Sequence, residues 1–91
     1  MQTIRLLIKG KVQGVFFRAT AKKVADSLEL KGWIRNTASG DVEAVVTGME
    51  EQLQQFTEWC RKGPENAEVS SLDVSETPLE DFSDFIVIRY R

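Results

Sequence analysis

The sequence predicts an α+β domain, a two-layer sandwich of the split βαβ type (βαββαβ) with an antiparallel sheet and two helices on one face. Three observations point there. From Thr3 to Gly10 apolar side chains alternate with charged ones, the period of a strand with one buried face. Phe17, Ala21, Val24 and Leu28, and later Met49, Leu53, Phe56 and Cys60, recur at the spacing of amphipathic helices. Short alternating runs punctuated by Gly, Asn, Asp and Pro fill the intervals, giving the order strand, helix, strand, strand, helix, strand.

In the first strand Ile4, Leu6 and Ile8 share a face opposite Arg5 and Lys9, with Leu7 breaking the alternation. The loop Gly10-Lys11-Val12-Gln13-Gly14-Val15-Phe16-Phe17-Arg18 leads into the first helix, whose Lys22, Lys23, Asp26 and Glu29 face outward and which ends before Gly32. Trp33 to Asn36 makes a short second strand, Thr37 to Asp41 has the residues of a tight hairpin turn, and Val42 to Thr47 returns. Thr47 and Glu50 stand three apart in the manner of a capping box, opening a helix from about Met49 to Arg61 that Gly63-Pro64 closes. Val69 to Thr77 reads as a weaker strand with Leu72 and Val74 on its better face; the acidic loop Glu80 to Asp84 leads to a last strand, Phe85 to Tyr90. A right-handed crossover through the first helix makes the first two strands parallel, so their ends emerge at one edge of the sheet. Arg18 and Asn36, eighteen residues apart, then face one pocket.

Composition bounds the function. Ninety-one residues, 42% of them hydrophobic, supply one modest core and a single domain spanning 1–91. No segment approaches the roughly 20 apolar residues that cross a bilayer, and the chain opens on a strand pattern rather than a signal peptide, so a cytoplasmic location is expected. With no His and Cys60 as the one cysteine, a Ser-His-Asp triad, a Cys-His pair and a zinc site of imidazole or thiolate ligands are excluded. Residues 1–40 carry eight basic side chains against Asp26 and Glu29, and residues 41–91 four against twelve acidic ones, a split of +6 and -8. This is either a pair of solvated surfaces or a local field that draws a small anion to the basic half.

The Gly10 to Arg18 loop is the candidate for that anion. It exposes backbone N–H groups at a helix N-terminus, where the helix dipole favours negative charge, and Arg18 adds a fork of donors suited to phosphate. A cation at that end of a helix opposes the dipole, which argues against an ordinary surface role for Arg18. Asn36 before a turn is most simply a turn former, yet its amide offers both a donor and an acceptor.

These residues resemble a known family. Gly10 to Arg18 is similar to the first signature of the acylphosphatases, and Gly32-Trp33-Ile34-Arg35-Asn36-Thr37-Ala38-Ser39-Gly40-Asp41-Val42, with Gly48 six residues further on, to the second. Phe85-Ile86-Val87-Ile88-Arg89-Tyr90 resembles the usual end of the family, so the resemblance spans nearly the whole chain. It implies a ferredoxin-like fold and a hydrolase that cleaves the carboxyl-phosphate bond of acyl phosphates, with a small-molecule substrate and no metal or organic cofactor. Backbone amides of Gly14, Val15, Phe16, Phe17 and Arg18 would wrap the phosphate, the Arg18 side chain would bind it, and Asn36 would orient the attacking water. Ile34 is bulkier than the family's usual residue and Phe16 sits where members differ, which bears on substrate preference. The alternative on the same scaffold is a non-catalytic phosphate-binding or regulatory module. An RNA-binding sheet is disfavoured because the first and third strands lack aromatics and the pI is about 5.1. A metal carrier fails for want of a second cysteine. The expected state is a monomer that engages neither nucleic acid nor membrane.

Overall fold

In the computed structural model, which describes residues 1–89, the elements are β1 (Gln2–Lys11), α1 (Phe17–Ser27), β2 (Lys31–Asn36), β3 (Val42–Gly48), α2 (Glu50–Lys62), β4 (Glu68–Thr77) and β5 (Phe85–Ile88). One sheet takes the order β4-β1-β3-β2-β5. Neighbours from β4 through β2 are antiparallel, as expected, and β1 and β2 run the same way on either side of β3. Alternation sends Ile4, Leu6, Ile8, Ile34, Val42, Ala44 and Val46 to one face, where they form the core with Phe17, Ala21 and Ala25 of α1 and Leu53, Phe56 and Cys60 of α2. Phe17 meets Trp59 edge-on at 5.3 Å and Phe56 meets Phe85 at 5.9 Å, so aromatic contacts join both helices and β5.

The βαββαβ order counts one strand after α2, and the structure has two. The chain leaves β4, crosses the open face of the sheet through residues 78–84, and re-enters as β5, which pairs in parallel with β2. Thr3 and Thr47 hold that crossing. Their hydroxyls lie 2.6 Å apart, Thr47 Oγ1 donates to the Glu80 carbonyl at 2.7 Å, and the Glu80 N–H donates to Thr3 Oγ1 at 2.8 Å. Gly32 N–H then donates to the Asp84 carbonyl at 2.8 Å and sets Phe85 beside Gly32. Phe85 is buried and Val87 packs on the core, while Ile86 is 51% exposed; Tyr90 of the expected last strand lies outside the described residues.

Two local expectations do not hold. The capping box does not form, because β3 runs on to Gly48 and the Thr47 hydroxyl is committed to the 78–84 crossing. Met49 is the N-cap and is 56% exposed, so it drops out of the buried stripe of α2. Glu50 and Glu51 in the first turn and Arg61 and Lys62 in the last match the helix dipole instead. Among the described residues no helix is long and apolar enough to cross a membrane.

On the open face Glu43 accepts from Arg5 Nε at 2.6 Å and from Arg35 Nε at 2.7 Å, tying β1, β3 and β2 together. Burial pushes its carboxyl up, but the hydrogen bonds and charges of the two arginines outweigh that and hold it below the usual range. At Gly32 the backbones of β2 and β3 approach closely. The glycine φ is 146° and a Cβ there would sit 2.0 Å from the Val45 carbonyl oxygen. Gly32→Ala combines an unfavourable backbone with a forced separation of β2 and β3, an expected loss of about 2–4 kcal/mol. That corresponds to a fall in Tm of roughly 10–25 °C, read by thermal unfolding. A Tm within a few degrees of wild type would show that the pairing yields at no cost.

Candidate active site

Residues 12–16 connect β1 to α1 without regular structure. Gly14 has φ 74°, and a Cβ on it would meet nothing, so glycine is required there by backbone conformation rather than by space. Phe16 also lies in the left-handed region, at φ 62°, and serves as the N-cap of α1 without a side-chain cap bond. Its carbonyl accepts from Thr20 N at 3.1 Å and from Thr20 Oγ1 at 2.8 Å, which stabilises a conformation that costs a non-glycine residue about 1 kcal/mol. The first turn of α1 contains no acidic residue, and its leading N–H groups border the cleft below.

That cleft has a volume of about 420 Å³. The loop lines one side through Val12, Gly14, Phe16, Phe17 and Arg18, and the end of β2 reaches it through Asn36. The expectation that Arg18 and Asn36 share a pocket is therefore met in the geometry: the parallel course of β1 and β2 brings both C-terminal ends to one edge. Val15 is the exception among the candidate residues, since its side chain is buried in the core and it does not line the cleft. Phe17 borders the cleft and roots its ring against Trp59. Phe16, 79% exposed, stands at the rim, whereas Ile34 is fully buried and does not reach the cleft.

Arg18 Nη1 donates to the Ile88 carbonyl at 3.2 Å, so the last residue of β5 tethers the guanidinium. Among the described residues no carboxylate pairs with it. Among the described residues Asn36 Oδ1 is buried and meets no donor. A buried carbonyl oxygen left unpaired is costly and calls for an explanation. Here it lies beside a cationic cleft.

Two contributors escape a reading of the sequence. Arg89 lines the cleft because β5 runs parallel to β2 and ends at the same sheet edge; as one residue of an alternating strand it gave no such signal. Gln13 reaches across to the turn after β2, donating to the Thr37 and Asp41 carbonyls, contacts that only the tertiary arrangement creates.

Fold and cleft together define a class: a ferredoxin-like α+β protein with a basic, helix-headed cleft at one sheet edge. A family model for acylphosphatases matches residues 4–87. An acylphosphatase of Methylococcus capsulatus is 42% identical over 90 residues, covering 98% of each chain. The solved acylphosphatase of Coxiella burnetii superposes with a TM-score of 0.92 at 44% identity, covering 96% of this chain and 92% of its own. That of Bacillus subtilis superposes at 0.94 with 34% identity, covering 98% and 100%. The chain belongs to the acylphosphatase family.

Proposed function

We propose that this cleft hydrolyses acyl phosphates, with Arg18 and the loop amides of residues 14–18 binding the phosphoryl group and Asn36 orienting the water. The meeting of Arg18 and Asn36 in one cleft carries the proposal. The Asn36 carboxamide offers both a donor and an acceptor, groups that can hold a water in line with the departing carboxylate. The water oxygen bonds to phosphorus as the bond to the acyl oxygen breaks. The carboxylate leaves with the electron pair, and the water proton passes to a phosphoryl oxygen. A leaving group this good makes a protein base dispensable, in keeping with a sequence that has no His. Charge on the phosphoryl oxygens in the transition state meets Arg18, already held by Ile88, and the uncapped N–H groups of α1.

Family membership favours this reading over a non-catalytic phosphate-binding module. The same reading makes 1–91 a single domain acting as a cytoplasmic monomer that engages neither nucleic acid nor membrane. One continuous core, a pI of about 5.1 and a single buried cysteine support it. The purified protein is expected to release phosphate from acetyl phosphate in the presence of a chelator and to leave stable phosphate monoesters intact. No release from acetyl phosphate would sink the assignment, and phosphate binding without release would favour the non-catalytic module.

A further inference from the structure

We propose that Gln13 is a positioning residue that keeps the two halves of the site in register; the inference rests on the assignment of Arg18 and Asn36 made above. β1 and β2 are not neighbours, because β3 lies between them. The loop that follows β1 and the residue that ends β2 are thus two strand spacings apart, about 10 Å, with no shared ladder to fix their distance. Loops are also the parts of a fold that move most.

The Gln13 carboxamide crosses this gap. Nε2 donates to the Thr37 carbonyl at 3.0 Å and to the Asp41 carbonyl at 2.8 Å, using both hydrogens of the amide nitrogen. Its acceptors are the residues that open and close the β2–β3 turn. There the Thr37 N–H donates to the Asp41 carbonyl at 2.9 Å and the Asp41 N–H to Thr37 Oγ1 at 3.1 Å. The turn is therefore a closed unit, and Gln13 grips it at both ends. Gln13 and Thr37 are each next in sequence to a residue of the site: Gln13 precedes Gly14, and Thr37 follows Asn36. The side chain is a strut between the loop that would seat the phosphoryl group and the amide that would aim the water. In-line attack depends on that separation, and a displacement of about 1 Å costs on the order of 10² in rate.

Gln13→Met keeps the length of the side chain and removes both donors. It is expected to lower kcat for acetyl phosphate by about 10- to 100-fold. The Kd for inorganic phosphate, which depends on the loop and Arg18, is expected to stay within about threefold, a split that a general loss of folding does not produce. Gln13→Glu supplies an independent reading. Ionised, its carboxylate faces two carbonyl oxygens with nothing to donate; protonated, it recovers one O–H donor. The ratio of its kcat to that of wild type should climb as pH falls. A Met variant with kcat within about twofold of wild type, or one that loses phosphate binding in proportion to kcat, overturns the role. If the Met variant does not fold, a pH-independent ratio for Gln13→Glu overturns it. A wild-type protein without turnover overturns the site assignment itself, whereas an active wild type with unaffected variants overturns only the part given to Gln13.

Discussion

Arg18→Ala is expected to abolish measurable turnover of acetyl phosphate, with kcat/KM falling at least about 10³-fold, and to weaken inorganic phosphate binding by at least about tenfold. The guanidinium is the charged side chain that the fold sets at the N-terminus of α1, and its bond to the Ile88 carbonyl fixes it before substrate arrives. A hydrogen bond to a charged group contributes about 1.5–3 kcal/mol, which accounts for the binding loss. The larger kinetic effect follows because the same donors face more charge in the transition state than in the bound ground state. Arg18→Lys keeps a cation but loses the planar fork, and with it simultaneous contact to phosphate and to Ile88, so it should recover binding better than turnover. Steady-state kinetics with phosphate as competing ligand measures both. Arg89 lines the same cleft and provides the control on the assignment. If Arg18→Ala kept phosphate affinity and Arg89→Ala lost it, the principal anchor would be the residue after β5.

Asn36→Ala is expected to lower kcat by about 10²–10³ while phosphate affinity stays within about threefold. Positioning a water is a transition-state contribution and leaves the anion site intact. The stability signature is as informative as the kinetic one. The β2–β3 turn is closed by the Thr37 N–H to Asp41 carbonyl and Asp41 N–H to Thr37 Oγ1 bonds, which do not use the Asn36 side chain, so the variant should melt near the wild-type Tm despite its low activity. Thermal unfolding beside a kinetic assay distinguishes this from a turn-forming role, which predicts a lower Tm with kcat preserved. Loss of phosphate binding in Asn36→Ala would instead make it an anion ligand and refute the water-positioning role.

Both predictions concern residues legible before any fold was in hand. The two motif resemblances singled out Arg18 and Asn36; the dipole made an ordinary surface role for Arg18 less attractive, and strand order allowed Asn36 to face the same pocket. Other parts were illegible for definable reasons. The Thr47–Glu50 spacing satisfies a capping box locally, but the Thr47 hydroxyl does better against Thr3 and Glu80, more than thirty residues away in the case of Glu80. Met49 fits a helical stripe by spacing alone, yet it lies at the point where the chain turns into α2 and faces solvent. The fifth strand was visible as a segment, but its partner was not: a short apolar run says nothing about parallel or antiparallel pairing, and the crossing that decides it is held by two threonines of β1 and β3.

By itself the sequence determined what local periodicity and residue chemistry can encode. That comprises the helices, the alternating strands, the exclusion of histidine and thiol chemistry, and, through the resemblance of two motifs to a family, the choice of Arg18 and Asn36 as candidates. Only the tertiary structure decided which groups meet. It placed Arg89 at the cleft through a parallel β5, held Arg18 with the Ile88 carbonyl, brought Asn36 to the same cleft, and set Gln13 between the loop and the turn. The physical reason is common to all four. Each depends on distances between residues far apart in the chain, which are set by sheet order and by burial of a shared core, and no local pattern carries that information.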